Sequence, residues 1–263
     1  MAFEREVELA KLLAQEAGAL AIDYERRGVT GETKTDDSPV TAADRACEKL
    51  IVDRISLEFP EDGILGEEGA RRTSRSGRQW IIDPIDGTRD FLRAIPLWAV
   101  LIGLEQDGQV VAGVSHSPRQ GLLLWAAKGE GAWADGSQIH VSDKSDPGEA
   151  ILAFNGLHKK GMAPLTSRVM PWMQQFWAVR SLGGAVDAML VAQGKADVWI
   201  EPNGAAWDLA PFKILIEEAG GRFGNFNGES SIYGGNAYAC TPGLEASVKQ
   251  LLGGDAAQPT GSK

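Results

Sequence analysis

The stretch of sequence that decides the fold reads Trp80-Ile81-Ile82-Asp83-Pro84-Ile85-Asp86-Gly87-Thr88. Its apolar start predicts a buried strand, and the two aspartates stand where that strand ends. Carboxylates placed this close together repel one another unless a cation lies between them. The proline removes a backbone donor and ends strand pairing, while the glycine allows the backbone to turn sharply or to approach a ligand. The segment therefore predicts a site for a hard metal ion beside a helix start that accepts an anion.

The composition is that of an ordinary globular protein and narrows the classes of function. The chain has 263 residues, of which 43% are hydrophobic and 24% charged, so it can bury a large core. A formal net charge of -10 argues against nucleic acid or an anionic membrane as a partner, because such binding needs clustered Lys and Arg. The N-terminus lacks a signal-peptide pattern, and no apolar run approaches the ~20 residues that span a membrane. We therefore expect a soluble cytoplasmic protein.

Hydrophobic periodicity predicts helices and strands in mixed order. Helices are expected over residues 7–24, from an N-cap at Thr41 to residue 59, and over 186–192 and 207–219, with 170–176 either helical or irregular. Strands are expected over residues 64–66, 80–83, 99–104, 110–114, 122–127, 132–133, 152–154 and 196–200. Gln106-Asp107-Gly108 is a strong hairpin signal. Residues 34–39 form an expected polar loop, and the tail over 253–263 is expected to be disordered. This mixture favours an α+β fold of layered sheets over a single doubly wound sheet.

Acidic residues fall at four places where predicted strands end or a predicted helix begins. They are Glu67, Asp83, Asp86 and Asp208. Taken alone, Glu67 could belong to a solvated turn and Asp208 could cap a helix. The Asp83/Asp86 pair is spaced so that both side chains reach one ion or two adjacent ions. Because the chain has only three His, carboxylate ligands favour Mg²⁺ or Mn²⁺ over Zn²⁺.

Other phosphate and metal motifs are excluded by spacing. The segment lacks the alternate acids of an EF-hand loop, and its Asp-x-x-Asp differs from the Asp-x-Asp of phosphatases with an aspartyl nucleophile. No P-loop and no Gly-x-Ser-x-Gly elbow occurs in the sequence. The acids therefore remain the main candidates for the chemistry.

Three motifs in order resemble the inositol monophosphatase superfamily. They are Gly66-Glu67-Glu68, Asp83-Pro84-Ile85-Asp86-Gly87-Thr88, and Trp207-Asp208-Leu209-Ala210 ahead of Glu218-Ala219-Gly220-Gly221. The resemblance covers about residues 5–252. It implies a layered αβαβα sandwich of the inositol monophosphatase / fructose-1,6-bisphosphatase type. It further implies one phosphatase domain over residues 1–252, made of two close-packed α/β halves at about 1–145 and 146–252.

The resemblance also implies the chemistry and the ions. Members hydrolyse small polar alcohol phosphates with Mg²⁺ and an activated water, and they are often homodimers. Glu67, Asp83 and the Ile85 carbonyl look like ligands of a first metal, and Asp83, Asp86 and Asp208 look like ligands of a second. Two or three Mg²⁺ ions are implied, with Mn²⁺ as an alternative ion and Li⁺ as a candidate inhibitor. A metal-bound water is a better nucleophile because its pKa falls.

The same resemblance assigns the remaining site residues. Gly87 and Thr88 look like the phosphate-binding backbone at a helix start. Asp44 and Thr88 look like the pair that orients the attacking water, and Glu67 completes the implied catalytic set. Glu201 has the spacing of the substrate-binding Glu of the family. Arg180, Asp86 and Asp208 are the other implied substrate contacts.

The substrate implied first is histidinol phosphate. The segment 78–105 and the pair Glu201-Pro202 are most similar to the histidinol-phosphatase branch, and a cationic amine would suit an acidic pocket. Asp187 could add to that pocket, although we interpret it as a solvent-facing helix residue. The segment 180–183 is shared with inositol phosphatases, and Gly184-Ala185 replaces an acid found in some histidinol phosphatases. Inositol 1-phosphate is therefore the first alternative, followed by a nucleotide 3′-phosphate or a sugar bisphosphate. A metal-binding regulatory relative is the non-enzymatic alternative.

A few further residues carry weaker expectations. Cys47 and Cys240 lack any metal-ligand spacing and are expected to be buried thiols. His158 is interpreted as structural or exposed, although its loop could reach a substrate. Trp172 and Trp177 are candidates for a dimer interface.

Overall fold

The computed structural model describes residues 3–28, 30–33 and 39–253. Within them the helices are α1 (Glu4–Arg27), α2 (Ala42–Glu58), α3 (Thr88–Leu92), α4 (Thr166–Met173), α5 (Gly184–Ala192), α6 (Ala206–Glu218) and α7 (Glu245–Leu252). The strands of the first half are β1 (Glu32–Thr33), β2 (Pro39–Val40), β3 (Gly63–Gly66), β4 (Arg71–Arg72), β5 (Arg78–Asp86), β6 (Ala99–Gln106), β7 (Gln109–Ser117), β8 (Leu122–Ala127), β9 (Gly131–Ala134) and β10 (Ser137–Ile139). Those of the second half are β11 (Ile151–Phe154), β12 (Ala178–Arg180), β13 (Val198–Glu201), β14 (Arg222–Gly224) and β15 (Ala237–Cys240). None of the helices in these ranges has the length and apolar character of a membrane span.

The elements stack in five alternating layers. α1 and α2 pack on one face of an eight-stranded sheet with the order β10-β9-β8-β7-β6-β5-β3-β4. α5 and α6 lie between that sheet and a five-stranded sheet with the order β12-β11-β13-β15-β14. α4 and α7 pack on the remaining face of the second sheet. This αβαβα order confirms the predicted α+β fold class.

The predicted hairpin is present between β6 and β7. These strands pair antiparallel from Gln106 and Gln109 inward, and two residues form the turn. Asp107 has φ 51° and Gly108 has φ 77°, as a type I′ turn requires, and this turn matches the right-handed twist of the strands. The short loop therefore sets the register of the first two residue pairs, and the register then shifts between Leu104 and Glu105.

Two glycines allow α6 to lie directly against β6 and β7. A Cβ atom on Gly103 would lie 2.8 Å from Cβ of Ala210, and one on Gly113 would lie 2.8 Å from Cα of Pro211. Any larger residue would push the helix outward, since cores are close-packed. The close approach sets the first turn of α6, which carries Asp208, beside the sheet that carries Asp83.

The start of α2 confirms the predicted N-cap. The Thr41 hydroxyl accepts hydrogen bonds from the backbone amides of Ala43 at 3.0 Å and Asp44 at 3.4 Å. In return, Oδ2 of Asp44 accepts from the Thr41 amide at 2.8 Å. Such caps contribute about 1 kcal/mol to helix stability. The same bonds hold the Asp44 side chain in one orientation.

Several expectations are refined by the structure. α7 and the strands β14 and β15 were not predicted, and the uncertain segment at 170–176 belongs largely to α4. Cys47 and Cys240 are buried and free, as predicted. Trp172 is buried in the core rather than available to an interface, whereas Trp177 is 69% exposed. The predicted loop at 34–39, except Pro39, and the predicted tail beyond Gly253 lie outside the described residues.

Candidate active site

β5 delivers two aspartates to one place at its end. The strand continues three residues beyond the predicted limit, to Asp86, and its pairing with β6 shifts register between Asp83 and Asp86. Pro84 lies inside this irregularity, where a missing backbone donor is tolerated. Asp83 is 2% exposed, and its Oδ1 accepts a hydrogen bond from the Ile85 amide at 3.0 Å. The local turn thus holds the Asp83 carboxylate in a fixed orientation.

Asp208 joins the two aspartates from the other side of the cluster. One carboxylate oxygen from each of Asp83, Asp86 and Asp208 lies within 4.8 Å of the others. Asp208 also accepts a hydrogen bond from the Ala205 amide at 2.8 Å, at the first turn of α6. The helix-capping interpretation and the metal-ligand interpretation of Asp208 are therefore compatible.

Glu67 is carried by a loop that a buried glutamate holds in shape. Glu48 of α2 is 5% exposed, and its two carboxylate oxygens accept from the backbone amides of Glu68 at 2.8 Å and Ala70 at 2.9 Å. A Cβ atom on Gly66 would lie 2.2 Å from Oε2 of Glu48, so a larger residue there would displace the Glu48 carboxylate from these bonds. Sequence reasoning missed Glu48, because nothing local distinguishes it from a solvent-facing helix residue.

Arg71 connects the Glu67 loop to the start of α6. Its guanidinium donates to the carbonyl of Ala70 at 2.8 Å and also to that of Gly66. The same group lies over the Trp207 ring, 5.5 Å from the ring centroid, in a cation–π contact. The two elements that supply Glu67 and Asp208 are therefore tied together.

Burial and mutual repulsion disfavour the ionised form of these carboxyl groups when no cation is bound. Burial, and then the charge of Glu67, raises the pKa of Asp83 well above its usual value. Burial, and then the charge of Asp208, does the same to the pKa of Asp86. Burial likewise raises the pKa of Asp208 to about 7. A bound cation would reverse this penalty, because it favours the ionised form of each acid.

The donor set fits a hard divalent cation. Glu67, Asp83, Asp86 and Asp208 offer carboxylate oxygens to one cavity, and Ile85 lines the same cavity. Mg²⁺ and Mn²⁺ prefer such oxygen ligands, whereas soft metals prefer sulfur. The chemistry of these residues and the raised pKa values of Asp83, Asp86 and Asp208 both point to a cation site.

Thr88 and Asp44 form a hydrogen-bonded pair at the edge of the acid cluster. The Thr88 hydroxyl lies 3.3 Å from Oδ1 of Asp44 and 3.2 Å from the Ile85 carbonyl oxygen. Asp44 is fully buried and also accepts from the hydroxyl of Thr41 at 2.5 Å. When the Thr88 hydroxyl donates its one hydrogen bond to Asp44, its oxygen is left to accept a hydrogen bond from a water molecule.

The cavity has a volume of about 290 Å³ and continues away from the metal cluster to Glu201. Glu201 ends β13 and is 5% exposed. Its Oε2 accepts from the side-chain amide of Asn155 at 2.7 Å, and its Oε1 accepts from the Asn203 amide at 3.1 Å. Burial raises the pKa of Glu201, while these hydrogen bonds oppose the rise. Asn155, which sequence reasoning missed, directly follows β11 in the loop that also carries His158.

Asp187 is a correction to the sequence analysis. It was interpreted as solvent-facing, but it is 0% exposed, because α5 lies between the two sheets. Its carboxylate accepts from the Leu182 amide at 3.1 Å and shapes the turn ahead of α5. Burial raises its pKa to about 6. Asp187 does not line the cavity among the described residues, so it supports the pocket wall without facing a ligand.

The structure brings together most of the predicted site residues. Eight of the ten line the cavity: Glu67, Asp83, Ile85, Asp86, Gly87, Thr88, Glu201 and Asp208. Asp44 lies behind Thr88. Arg180 is exposed, donates to the Val179 carbonyl at 2.9 Å and is not among the residues that line the cavity. β12 is the edge strand of its sheet, and the substrate contact of Arg180 stays a prediction. His158 is exposed, and its loop does reach the cavity.

Comparison with known proteins identifies the family. A model of the inositol monophosphatase family matches residues 4–258. The chain belongs to the inositol monophosphatase family. It is 41% identical to a histidinol-phosphatase of Mycobacterium tuberculosis over 81% of this chain and 84% of that protein. A histidinol-phosphatase of Chlorobaculum parvum is 39% identical over 88% of this chain and 89% of its own length.

The solved structures agree with the family. The extragenic suppressor protein suhB of Bartonella henselae superposes with a TM-score of 0.88 at 28% identity, covering 94% of this chain and 97% of its own. The predicted family membership and the similarity to the histidinol-phosphatase branch are thus confirmed. The relatives named histidinol-phosphatase and inositol-1-monophosphatase are phosphoric monoester hydrolases of this metal-dependent family, and the acid cluster described above has a donor set suited to such a metal.

Proposed function

We propose that this protein hydrolyses the phosphate monoester of a small amino alcohol, histidinol phosphate first among them, with Mg²⁺ as its metal. One observation carries the proposal. Three carboxylates whose oxygens lie within 4.8 Å of one another line the same cavity as Thr88, at the edge of the acid cluster, and Glu201, at the far end. A candidate cation site, the Thr88 hydroxyl with Asp44 behind it, and a buried acid for the alcohol therefore surround one space.

Asp44 and Thr88 orient the nucleophile in this proposal. Oδ1 of Asp44 accepts a hydrogen bond from the Thr88 hydroxyl at 3.3 Å, and the Asp44 side chain is itself fixed by Thr41. The Thr88 oxygen then accepts a hydrogen bond from a water molecule and directs a lone pair of that water at phosphorus. The water oxygen forms the new bond to phosphorus, the bond from phosphorus to the alcohol oxygen breaks, and one proton of the water ends on the departing alcohol oxygen.

The acid cluster would hold the metal. Glu67, Asp83, Asp86 and Asp208 supply the carboxylates, and the Ile85 carbonyl is a neutral donor. When bound, a divalent cation lowers the pKa of a coordinated water and offsets negative charge on the phosphoryl oxygens. The protein's own part is to fix these side chains, through the bonds that Ala205, Ile85 and Ala185 donate to them.

The far end of the cavity decides the alcohol. Glu201 is held in place by Asn155 and Asn203, so its carboxylate is preorganised to accept hydrogen bonds from a ligand. Such a carboxylate suits both an ammonium group and sugar-like hydroxyls. The relatives named histidinol-phosphatase favour the first ligand, and the family name keeps inositol 1-phosphate as the second candidate.

The test is phosphate release from histidinol phosphate and inositol 1-phosphate at equal Mg²⁺ concentration, with and without a chelator. We expect release from histidinol phosphate with the higher kcat/KM, and loss of release on chelation. Asp83→Asn should abolish release while the fold, followed by circular dichroism, persists. Asp53→Asn is the matched control, because Asp53 is exposed on α2 and forms an ion pair with the exposed Lys49. Absence of release from both esters by the wild type would overturn the proposed activity.

Several finer expectations belong to the same proposal. Mg²⁺ as the native ion, two or three ions per site, Mn²⁺ as a substitute and Li⁺ as an inhibitor are all tested by metal titration of the same assay. A homodimer is supported by the 69% exposed Trp177 beside the edge strand β12 and is tested by light scattering. The cytoplasmic location and the division into halves near residue 145 stay predictions.

A further inference from the structure

Asp90 is an acidic residue of the cavity that the proposed mechanism does not use. It lies in α3, one turn after Asp86, and is half-buried. Its backbone is well anchored, since its amide donates to Gly87 and its carbonyl accepts from Arg93 and Ile95. Its side chain, by contrast, makes no hydrogen bond or salt bridge with any residue in the described ranges. A rigid backbone thus presents a carboxylate that has room for a ligand.

Two adjacent glycines open the space between Asp90 and the Glu201 end of the cavity. A Cβ atom on Gly183 would lie 3.7 Å from Oδ2 of Asp90, and one on Gly184 would lie 3.3 Å from Oε2 of Glu201. Because glycine has no side chain, the space beside each carboxylate stays open. Because the two glycines are consecutive, one small molecule lying over them can contact Asp90 and Glu201 together.

The two carboxylates differ in what already satisfies them. Glu201 accepts from Asn155 and Asn203, and the charge of Lys159 also stabilises its ionised form. The ionised form of Asp90 is stabilised by the charge of the neighbouring Arg89, which is exposed. A ligand cation would therefore gain more from Asp90, because its charge is the less compensated of the two.

We propose that Asp90 is a specificity-determining residue, which selects alcohol phosphates that carry an ammonium group by pairing with that group above Gly183 and Gly184. The inference rests on the proposed phosphatase function and deepens it. Inositol 1-phosphate, whose ring carries only hydroxyls, gains no such ion pair. Asp90 makes no contribution to bond breaking, so its effect falls on binding and not on the chemical step.

The experiment compares Asp90→Asn with the wild type on one phosphate ester that carries an ammonium group and one that does not. Asparagine keeps the shape of the side chain and removes its charge. We expect the KM for histidinol phosphate to rise about tenfold, as for loss of one partly buried ion pair, with kcat changed less than about twofold. The kinetic constants for inositol 1-phosphate should not change. Free histidinol, used as a competitive inhibitor, should lose affinity by the same factor.

Two variants complete the test. Asp90→Glu keeps the charge and should restore part of the preference, whereas the distant control Asp53→Asn should match the wild type. An equal loss on both substrates, or no loss on either, would overturn the role of Asp90 while leaving the phosphatase activity established on inositol 1-phosphate. A wild type that releases phosphate from neither ester would overturn the proposed function as well.

Discussion

The carboxylate of Asp86 accepts a hydrogen bond from the backbone amide of Ala185 at 3.1 Å. This bond joins the end of β5 to the first turn of α5, across a separation of 99 residues in the chain. Asp86 therefore serves two purposes, as a candidate metal ligand and as a link between the larger sheet and the middle helical layer. The two purposes can be separated, because the hydrogen bond needs only an acceptor oxygen whereas the metal needs a charge.

Asp86→Asn should stabilise the metal-free protein and weaken metal binding. The amide oxygen can still accept from Ala185, while the cost of burying the charge and the repulsion with Asp208, which together raise the pKa of Asp86, both disappear. We expect the melting temperature without metal to rise by about 2–4 °C at pH 8, for each kcal/mol of repulsion removed. The rise in melting temperature on adding Mg²⁺ should shrink to less than half of the wild-type value. Differential scanning calorimetry measures both quantities.

Asp86→Ala is the companion variant for this prediction. It removes the repulsion and the acceptor together, so the Ala185 amide loses its partner. It should be less stable than Asp86→Asn by about 1 kcal/mol, which is the usual contribution of one hydrogen bond. If the asparagine variant melted below the wild type without metal, repulsion would not be the dominant effect at this position.

The stability of the metal-free protein should fall as the pH rises towards neutrality. Asp208 has a pKa of about 7 in the folded protein against 3.8 for the ordinary group, so the folded state binds more protons than the unfolded state between these values. Linkage then requires the free energy of unfolding to decrease with rising pH across this window and to level off above it. The raised pKa values of Asp83 and Asp86 act in the same direction.

Urea titrations at pH 5 and pH 8 with a chelator present measure this effect. We expect the contribution of this site to fall by a few kcal/mol, since one pKa unit corresponds to about 1.4 kcal/mol. Saturating Mg²⁺ should restore stability at pH 8 far more than at pH 5, where protons compete for the ligands. Asp208→Asn should flatten the dependence. An unchanged slope in that variant would locate the titrating group elsewhere.

Local sequence predicted the parts of this molecule that local interactions determine. The Asp107-Gly108 turn, the Thr41 cap and the apolar run ahead of Asp83 each depend on residues within a few positions, and each is present. β15 was missed because its four residues are all buried, so they show no alternation of polar and apolar side chains. The strand is therefore visible only through its pairing with β13 and β14.

The wrong interpretation of Asp187 and the omission of Glu48 have one physical cause, because the surroundings of both residues come from elements far away in the sequence. Asp187 looked solvent-facing because a polar residue on a helix usually is, but α5 has no solvent-facing side between the two sheets. Glu48 was missed because its partners, the amides of Glu68 and Ala70, come from a distant loop. The Arg180 contact stays a prediction, because it came from a segment resemblance, which carries no information on which way an edge strand presents its side chains.

Removing the Thr88 hydroxyl should affect catalysis and spare the fold. Thr88→Val keeps the branched shape but leaves Oδ1 of Asp44 without the hydroxyl that lies 3.3 Å away. Since groups that position a nucleophile contribute about 10²–10⁴-fold, we expect kcat to fall within that range while KM stays within about threefold. Steady-state phosphate release measures both constants. Thr88→Ser should recover most of the activity, because serine restores the hydroxyl. A valine variant with wild-type kcat would remove Thr88 from the mechanism.

Glu48→Gln should weaken metal binding from a position that does not touch the metal. Glu48 accepts from the amides of Glu68 and Ala70 with separate carboxylate oxygens, and glutamine can accept with only one. The loop that carries Glu67 should therefore loosen, with a loss of stability of about 1–3 kcal/mol for the unpaired buried amide. Supporting groups of this kind change metal affinity by about 10–100-fold. Isothermal calorimetry with Mn²⁺ reads that change without relying on turnover.

The control for Glu48 lies on the same helix. Glu58→Gln removes an exposed ion pair with Arg5 at the end of α2 and should change stability by less than about 1 kcal/mol. Its Mn²⁺ affinity should equal that of the wild type, because the bond that this variant removes is made to Arg5 of α1. A Glu48→Gln variant that lost stability but kept full Mn²⁺ affinity would show that the Glu67 loop is held by other contacts, foremost those of Arg71 with Gly66 and Trp207.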